Sequence, residues 1–111
     1  MQIITELSEA IKERLKADPK KSYVALLHNE GLNKILEKIS EESTEVILAA
    51  KDTVGPKNDK EHVTEEVADL WFHCMVLLTH LDIEPEDVFN ILENRFGEGG
   101  LVEKAKRPSP K

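Results

Sequence analysis

The sequence predicts an all-α protein, a helical bundle built from antiparallel helix hairpins. Apolar residues recur at intervals of three and four in several long segments, as on the buried face of a helix. Short runs rich in glycine, proline, asparagine or aspartate separate these segments, and none alternates like a half-buried strand. A chain of 111 residues has the size of one domain, so we expect a single domain over residues 1–111.

The first part of the chain predicts one longer helix and one short helix. Residues 3–16 carry an apolar stripe, and Pro19 ends the run because the residue before a proline avoids the helical conformation. Ser22 is a favourable N-cap for a short helix that reaches about residue 29. Gly31 then breaks the chain before the next segment.

Two long helices and a final shorter one account for the rest. Residues 32–52 and 61–81 both keep helical apolar spacing, and the turn between them contains Gly55 and Pro56. A last helix is expected from Pro85, a favourable first helical residue, to Gly97. Residues 97–111 are predicted to form an irregular tail.

Composition and charge restrict the compartment and the partners. Hydrophobic residues make up 40% and charged residues 33%, which is typical of a folded soluble chain, and no apolar stretch is long enough to span a bilayer. The single cysteine, Cys74, can form no internal disulfide and is expected to pack in the core. We therefore expect a cytoplasmic protein without a membrane partner. The net charge of -7 argues against nucleic-acid binding.

Four acidic residues interrupt the apolar stripes of the two long helices. Glu42 fills a core position between Ile39 and Val46, Glu45 follows one turn later, and Glu66 and Asp69 are spaced alike on the next helix. In an antiparallel hairpin, residues at equal height share one sum of residue numbers. The pairs Glu42 with Asp69 and Glu45 with Glu66 have the same sum. The midpoint of the residue numbers in each pair therefore falls in the Gly-Pro turn. Four carboxylates should therefore converge.

Converging carboxylates require compensation, because buried like charges are destabilising unless they are protonated or neutralised by cations. Hard divalent ions prefer oxygen ligands, so a cluster without cysteine favours Mg²⁺, with Mn²⁺ as a second possibility. The alternative is a solvated acidic face balanced by Lys34, Lys38 and Lys51.

These acidic motifs resemble those of a known superfamily. The stretch KISEESTEVI at residues 38–47, followed by EVADL at 66–70, is similar to the EExxE and ExxD pair of the all-α nucleoside triphosphate pyrophosphatases, the MazG-like superfamily. Within it the chain most resembles the phosphoribosyl-ATP pyrophosphohydrolases, with SYV at 22–24, DLWFH at 69–73 and EKAKR at 103–107 as further matches. Ser40, Ser43 and Trp71-Phe72 depart from the usual pattern without touching the acidic ligands.

The resemblance implies a reaction and a metal site. It implies hydrolysis of phosphoribosyl-ATP to phosphoribosyl-AMP and pyrophosphate, the second step of histidine biosynthesis, by a homodimer of the all-α pyrophosphatase fold. Glu42, Glu45, Glu66 and Asp69 would bind the metal, and Glu41 or Glu45 would take a proton from the attacking water. A separate cyclohydrolase partner is possible, since many relatives are fused to that enzyme.

Further residues are candidates for contact with the anionic substrate. Each also has an ordinary structural explanation, such as a buried hydrogen-bonded histidine or unengaged surface charge. They are Lys38, Lys51, His73, Arg95, Lys104 and Arg107.

Two other functions remain open at this point. Another nucleotide pyrophosphatase of the same superfamily, which removes noncanonical nucleotides, would share the acidic motifs and differ outside them. A non-catalytic helical interaction module would use the same residues only for folding.

Overall fold

Five α-helices form the regular structure of residues 2–97, the part of the chain that the computed structural model describes. They are α1 (Gln2–Arg14), α2 (Tyr23–Glu30), α3 (Leu32–Asp52), α4 (Lys60–His80) and α5 (Pro85–Phe96). No strand occurs within residues 2–97, so the all-α prediction is confirmed. The predicted tail lies outside the described residues except for Gly97.

Local side-chain and backbone chemistry sets the ends of the helices. Ser22 and Asp59 cap α2 and α4, because each side chain accepts a hydrogen bond from a main-chain N–H three residues later, at 3.2 and 3.1 Å. Gly31 separates α2 from α3 with a φ of 102°, a conformation that L-residues with a Cβ rarely adopt. The predicted break is therefore a backbone requirement.

The antiparallel hairpin of α3 and α4 is the centre of the fold. Residues 53–59 connect the two helices, and α3 and α4 share the most extensive helix–helix contact in residues 2–97. α1 and α2 pack against one end of this hairpin. α5 packs against α1, and Lys12 Nζ donates to Glu84 Oε1 at 2.8 Å just before α5 begins.

The hydrophobic core lies where α1 and α2 meet the hairpin. Full burial of such side chains contributes about 1.5–3 kcal/mol each, so this cluster is a main source of stability for the single chain. Its buried members are Ile11, Val24, Leu27, Ile35, Met75 and Val76.

Much apolar surface stays uncovered in the single chain. The Cα radius of gyration is 17.1 Å, whereas a compact chain of this length would have about 13 Å. Trp71 on α4 is 60% exposed and Leu92 on α5 is 48% exposed. In residues 2–97, no helix combines the length and the apolar character needed to cross a bilayer.

A histidine pair links α2 to the last turn of α4. The Nδ1 atoms of His28 and His80 lie 2.8 Å apart, so one ring donates and the other must be neutral to accept. Burial lowers the pKa of His80, and the neighbouring His28 lowers it further. The pair is therefore suited to neutral and alkaline pH.

We expect the His28–His80 pair to make the protein less stable in acid. Because the folded pKa of His80 lies below its unfolded value, the unfolded chain binds more protons, and the stability due to neutral His80 is lost as the pH falls through about 6.5. Thermal unfolding of wild type and His80→Gln between pH 8 and pH 5 measures this. The wild type should lose more stability, and equal pH slopes would contradict the assignment.

Candidate metal centre

Three carboxylates meet on the seam between α3 and α4. Glu42, Glu66 and Asp69 each offer one oxygen, and these oxygens lie within 4.8 Å of one another. Glu42 and Glu66 are partly buried, and Asp69 is exposed, so the group opens to solvent on one side. Two unit charges about 4 Å apart repel by about 1 kcal/mol in water and about 4 kcal/mol near a protein surface, so the group attracts cations.

The three carboxylates lie on the same face of each helix as its buried side chains, further along the helix axis. On α3, Glu42 follows Ile35 by seven residues, which is two turns along the same face. On α4, Glu66 and Asp69 precede His73 and Val76 by the same seven residues, and both of these are buried. Core packing at one end of the hairpin therefore determines where the carboxylates lie at the other end.

Glu45 lies outside this group of three. A step of three residues turns a helix by about 300°, which puts Glu45 about 60° from Glu42. Val46, which is partly buried, and Ala49, which is buried, lie within about 40° of Glu42 around the helix, and the Glu45 side chain is exposed. The structure therefore brings three of the four predicted metal ligands together and leaves Glu45 beside them.

The dimensions of the group fit a hard divalent cation. Mg²⁺ binds oxygen at about 2.0–2.1 Å, so two ligands on opposite sides of the ion are about 4.2 Å apart. The three oxygens lie within 4.8 Å of one another, which is close to this separation. The group contains only carboxylates and neither cysteine nor histidine. Such a set of ligands suits Mg²⁺ or Mn²⁺ better than structural zinc.

Two side chains contact acidic residues at or beside this group. Lys38 Nζ pairs with Glu41 Oε1 at 3.0 Å, and this hydrogen bond is the main reason that the Lys38 pKa is raised. His62 Nε2 lies 3.1 Å from Glu66 Oε2. The sequence analysis did not identify His62, although its position four residues before Glu66 was an available signal.

His73 is enclosed behind Asp69. Only 6% of its surface is exposed, Nδ1 lies 2.8 Å from the Asp69 main-chain oxygen, and Nε2 lies 2.8 Å from the Tyr23 hydroxyl. Burial is the main cause of the raised pKa of the Tyr23 phenol, and the positive charge of Lys38 opposes it. Both ring nitrogens of His73 therefore have protein partners, and the Tyr23 phenol stays protonated at neutral pH.

The remaining candidate residues lie away from the three carboxylates or outside the described chain. Lys51 is exposed in the last turn of α3, about 13 Å along the helix from Glu42 at 1.5 Å per residue. Arg95 is exposed in the last turn of α5. Lys104 and Arg107 lie outside the described residues.

Comparison with known proteins identifies the family. Residues 4–96 match the model of the phosphoribosyl-ATP pyrophosphohydrolase family. The chain belongs to this family. It is 48% identical over 105 residues to a phosphoribosyl-ATP pyrophosphatase of Neisseria gonorrhoeae, covering 95% of this chain and 94% of the relative. It is 50% identical over 105 residues to one of Nitrosospira multiformis, covering 95% and 83%.

Family membership confirms the predicted resemblance and the enzyme class. A phosphoribosyl-ATP pyrophosphohydrolase is a hydrolase that acts on a phosphoric anhydride, which excludes the alternative of a non-catalytic interaction module. The matched residues 4–96 contain α2 to α5 and all three converging carboxylates. The hairpin of α3 and α4 therefore lies wholly within the region that matches the family.

We expect Glu42→Gln to stabilise the metal-free protein and to remove its response to metal. Loss of one negative charge reduces the repulsion by about 1 kcal/mol. In the wild type, Mg²⁺ at about 100 times its Kd should add about 2.7 kcal/mol, because the unfolded chain lacks the site. Thermal unfolding with EDTA and with Mg²⁺, at one protein concentration, measures both effects.

Glu65→Gln is the matched control for this variant. Glu65 is the exposed neighbour of Glu66 on α4 and is not one of the three converging carboxylates, so Glu65→Gln changes the net charge equally and keeps all three of them. Glu65→Gln should keep the full Mg²⁺ response. An equal loss of response in both variants would show that Mg²⁺ acts on general surface charge.

Proposed function

We propose that the protein hydrolyses phosphoribosyl-ATP between its α and β phosphates, releasing phosphoribosyl-AMP and pyrophosphate in histidine biosynthesis, with Mg²⁺ as its metal and Mn²⁺ as a substitute. The supporting observation is that the three carboxylates converge on the hairpin inside the region matched by the family model. An acidic site and a polyphosphate substrate are compatible only through bridging cations.

Each carboxylate would hold the cation from a different position on the hairpin. Glu42 approaches from α3, and Glu66 and Asp69 approach from successive turns of α4. A bound divalent ion supplies charge neutralisation of the phosphate oxygens and lowers the pKa of a bound water. Lys38, one turn before Glu42, adds a positive charge on the same side of α3 and is proposed to contact a phosphate oxygen.

Glu41 and Glu45 are the candidates for the general base. Both lie within one turn of Glu42, and both are exposed to the solvent from which the attacking water comes. Glu41 is held by Lys38 at 3.0 Å, so Glu45 is the better placed of the two to accept a proton. Glu45 could also act as a fourth metal ligand if the α3 side chains rearrange around the cation.

Contacts with the rest of the substrate are proposed for the more distant basic residues. Lys51 and Arg95 lie at the ends of α3 and α5, so each would contact phosphate or ribose only across a separation bridged by a large substrate or by a second subunit. Lys104 and Arg107 are proposed to contact phosphate from the C-terminal segment. His73 would need to release its present partners to contact substrate directly.

A homodimer is part of this proposal. α4, α5 and α1 line an apolar groove of about 550 Å³, whose lining includes Trp71, Val88 and Leu92. These side chains are between 38% and 60% exposed in the single chain. An apolar surface of this kind is usually covered by a second subunit. A separate cyclohydrolase partner and a cytoplasmic location remain predictions.

The reaction can be tested directly with purified protein. Pyrophosphate release from phosphoribosyl-ATP should require Mg²⁺, stop with EDTA, and exceed release from ordinary nucleoside triphosphates. Glu42→Gln should reduce kcat/KM by at least about 100-fold, since the loss of one ligand weakens both metal binding and phosphate neutralisation. Glu65→Gln should retain wild-type activity.

Preference for another nucleotide would move the chain to a different substrate within the superfamily and contradict the proposal. Full activity of Glu42→Gln with intact folding would exclude the carboxylate group as the metal site.

The Glu45→Gln and Glu41→Gln variants distinguish the two candidates for the general base. Only the variant that removes the true base should lower kcat at saturating Mg²⁺.

The dimer can be tested through Trp71. Trp71→Glu puts a charge into the apolar groove, which would be costly to bury in an interface without a partner. Light scattering after size exclusion should give twice the chain mass for the wild type and a lower mass for the variant. Glu65→Lys, an exposed change on the same helix, serves as a control. A monomeric wild type would contradict the dimer.

A further inference from the structure

A hydrogen-bond chain connects α2 to the metal-binding turn of α4. We propose that Tyr23 and His73 are positioning residues for Asp69, through a chain that runs from the Tyr23 hydroxyl across the His73 ring to the Asp69 main-chain carbonyl. This inference rests on the proposed function, since it assigns Asp69 to the metal. It gives Tyr23 and His73 a role that does not require either side chain to touch the substrate.

The direction of the chain follows from its last acceptor. A carbonyl oxygen can only accept, so His73 Nδ1 must carry the proton in the 2.8 Å contact with Asp69. Nε2 of the neutral ring is then an acceptor, and the Tyr23 hydroxyl donates to it at 2.8 Å. All these donor and acceptor roles are mutually consistent.

Asp69 is the ligand that most needs such support. Its side chain is exposed, whereas Glu42 and Glu66 are partly buried on the seam. Aspartate has one methylene fewer than glutamate, so its carboxylate follows the position of its own backbone closely. His73 adds a second donor to the carbonyl of Asp69, one turn earlier on α4, and so fixes that turn of backbone.

Ring packing holds Tyr23, the donor end of the hydrogen-bond chain, in place. The Tyr23 and Phe72 rings are stacked with centroids 6.3 Å apart, and the Tyr23 ring meets the edge of His73 at 5.7 Å. The Ser22 cap sets the first turn of α2, from which Tyr23 projects. Tyr23 therefore links α2 to α4 beside Asp69, through its hydrogen bond to His73 and its ring contact with Phe72.

A second pair of hydrogen-bonded side chains in the protein serves as a control for a purely structural role. His28 and His80 form a second side-chain hydrogen bond between α2 and α4, also at 2.8 Å. His80 lies seven residues after His73, about 10 Å further along the helix and away from Asp69. A variant at His80 therefore removes a similar link between the same helices without changing the metal-binding turn.

The experiment measures Mn²⁺ binding by calorimetry at pH 8 for four proteins and the wild type. The variants are Tyr23→Phe, His73→Leu, the double variant and the control His80→Leu. Tyr23→Phe should weaken Mn²⁺ binding by about 10-fold, as for other outer-shell hydrogen bonds. His80→Leu should lower the melting temperature and leave Mn²⁺ binding unchanged. The double variant should bind no more weakly than His73→Leu, because both changes break one chain.

Three outcomes would overturn the inference. They are unchanged Mn²⁺ binding in Tyr23→Phe, an equal loss in His80→Leu, and additive losses in the double variant. If His73→Leu does not fold, the comparison of Tyr23→Phe with His80→Leu alone decides, since Tyr23→Phe keeps the ring packing.

Phosphoribosyl-ATP turnover, followed as a function of Mg²⁺ in the same proteins, separates this inference from the proposed function. Normal turnover with Mn²⁺ binding unaffected by Tyr23→Phe would overturn the inference alone. Absence of wild-type turnover, with Mn²⁺ binding weakened by Tyr23→Phe, would overturn the proposed function and support the inference.

Discussion

The packing of α3 against α4 is the constraint on which the rest of the molecule depends. One continuous seam contains apolar side chains at the end where α1 and α2 cover it and carboxylates at the other end. Burial of Ile35 and Val76 stabilises the hairpin, and this stability offsets the repulsion among three acids that would not assemble by themselves. Core and site are therefore two ends of one interface.

Much of this arrangement could be predicted from the sequence because helix geometry is regular. A Gly-Pro turn between two apolar stripes predicts the hairpin. The acidic residues of α3 and α4 are equally far from this turn along the sequence, which predicts that they lie at the same level along the helix axes. The level of each acidic residue along the helix axis was easier to predict than the direction of its side chain around that axis. Glu45 has the predicted height, but it is exposed and lies about 60° around the helix from Glu42, outside the group of three.

Contacts between residues distant in sequence were beyond prediction. Nothing in the spacing of Tyr23 and His73 shows that a hydroxyl and a ring nitrogen 50 residues apart lie at 2.8 Å. The sequence analysis therefore considered His73 only as a substrate contact or a structural histidine. The structure adds its burial and both partners, from which its tautomer and its connection to Asp69 follow.

The charge of the chain fits its anionic substrate once cations are included. A net charge of -7 and three converging carboxylates would repel a polyphosphate in the absence of metal. Under the proposed function, one bound divalent ion would offset two of the three negative charges of this group, and the metal-bound substrate would meet far less repulsion. Substrate binding should thus depend on prior or simultaneous metal binding. With Asp69 as a metal ligand, as proposed, the geometry of this most exposed of the three acids would influence phosphate binding as well as metal binding.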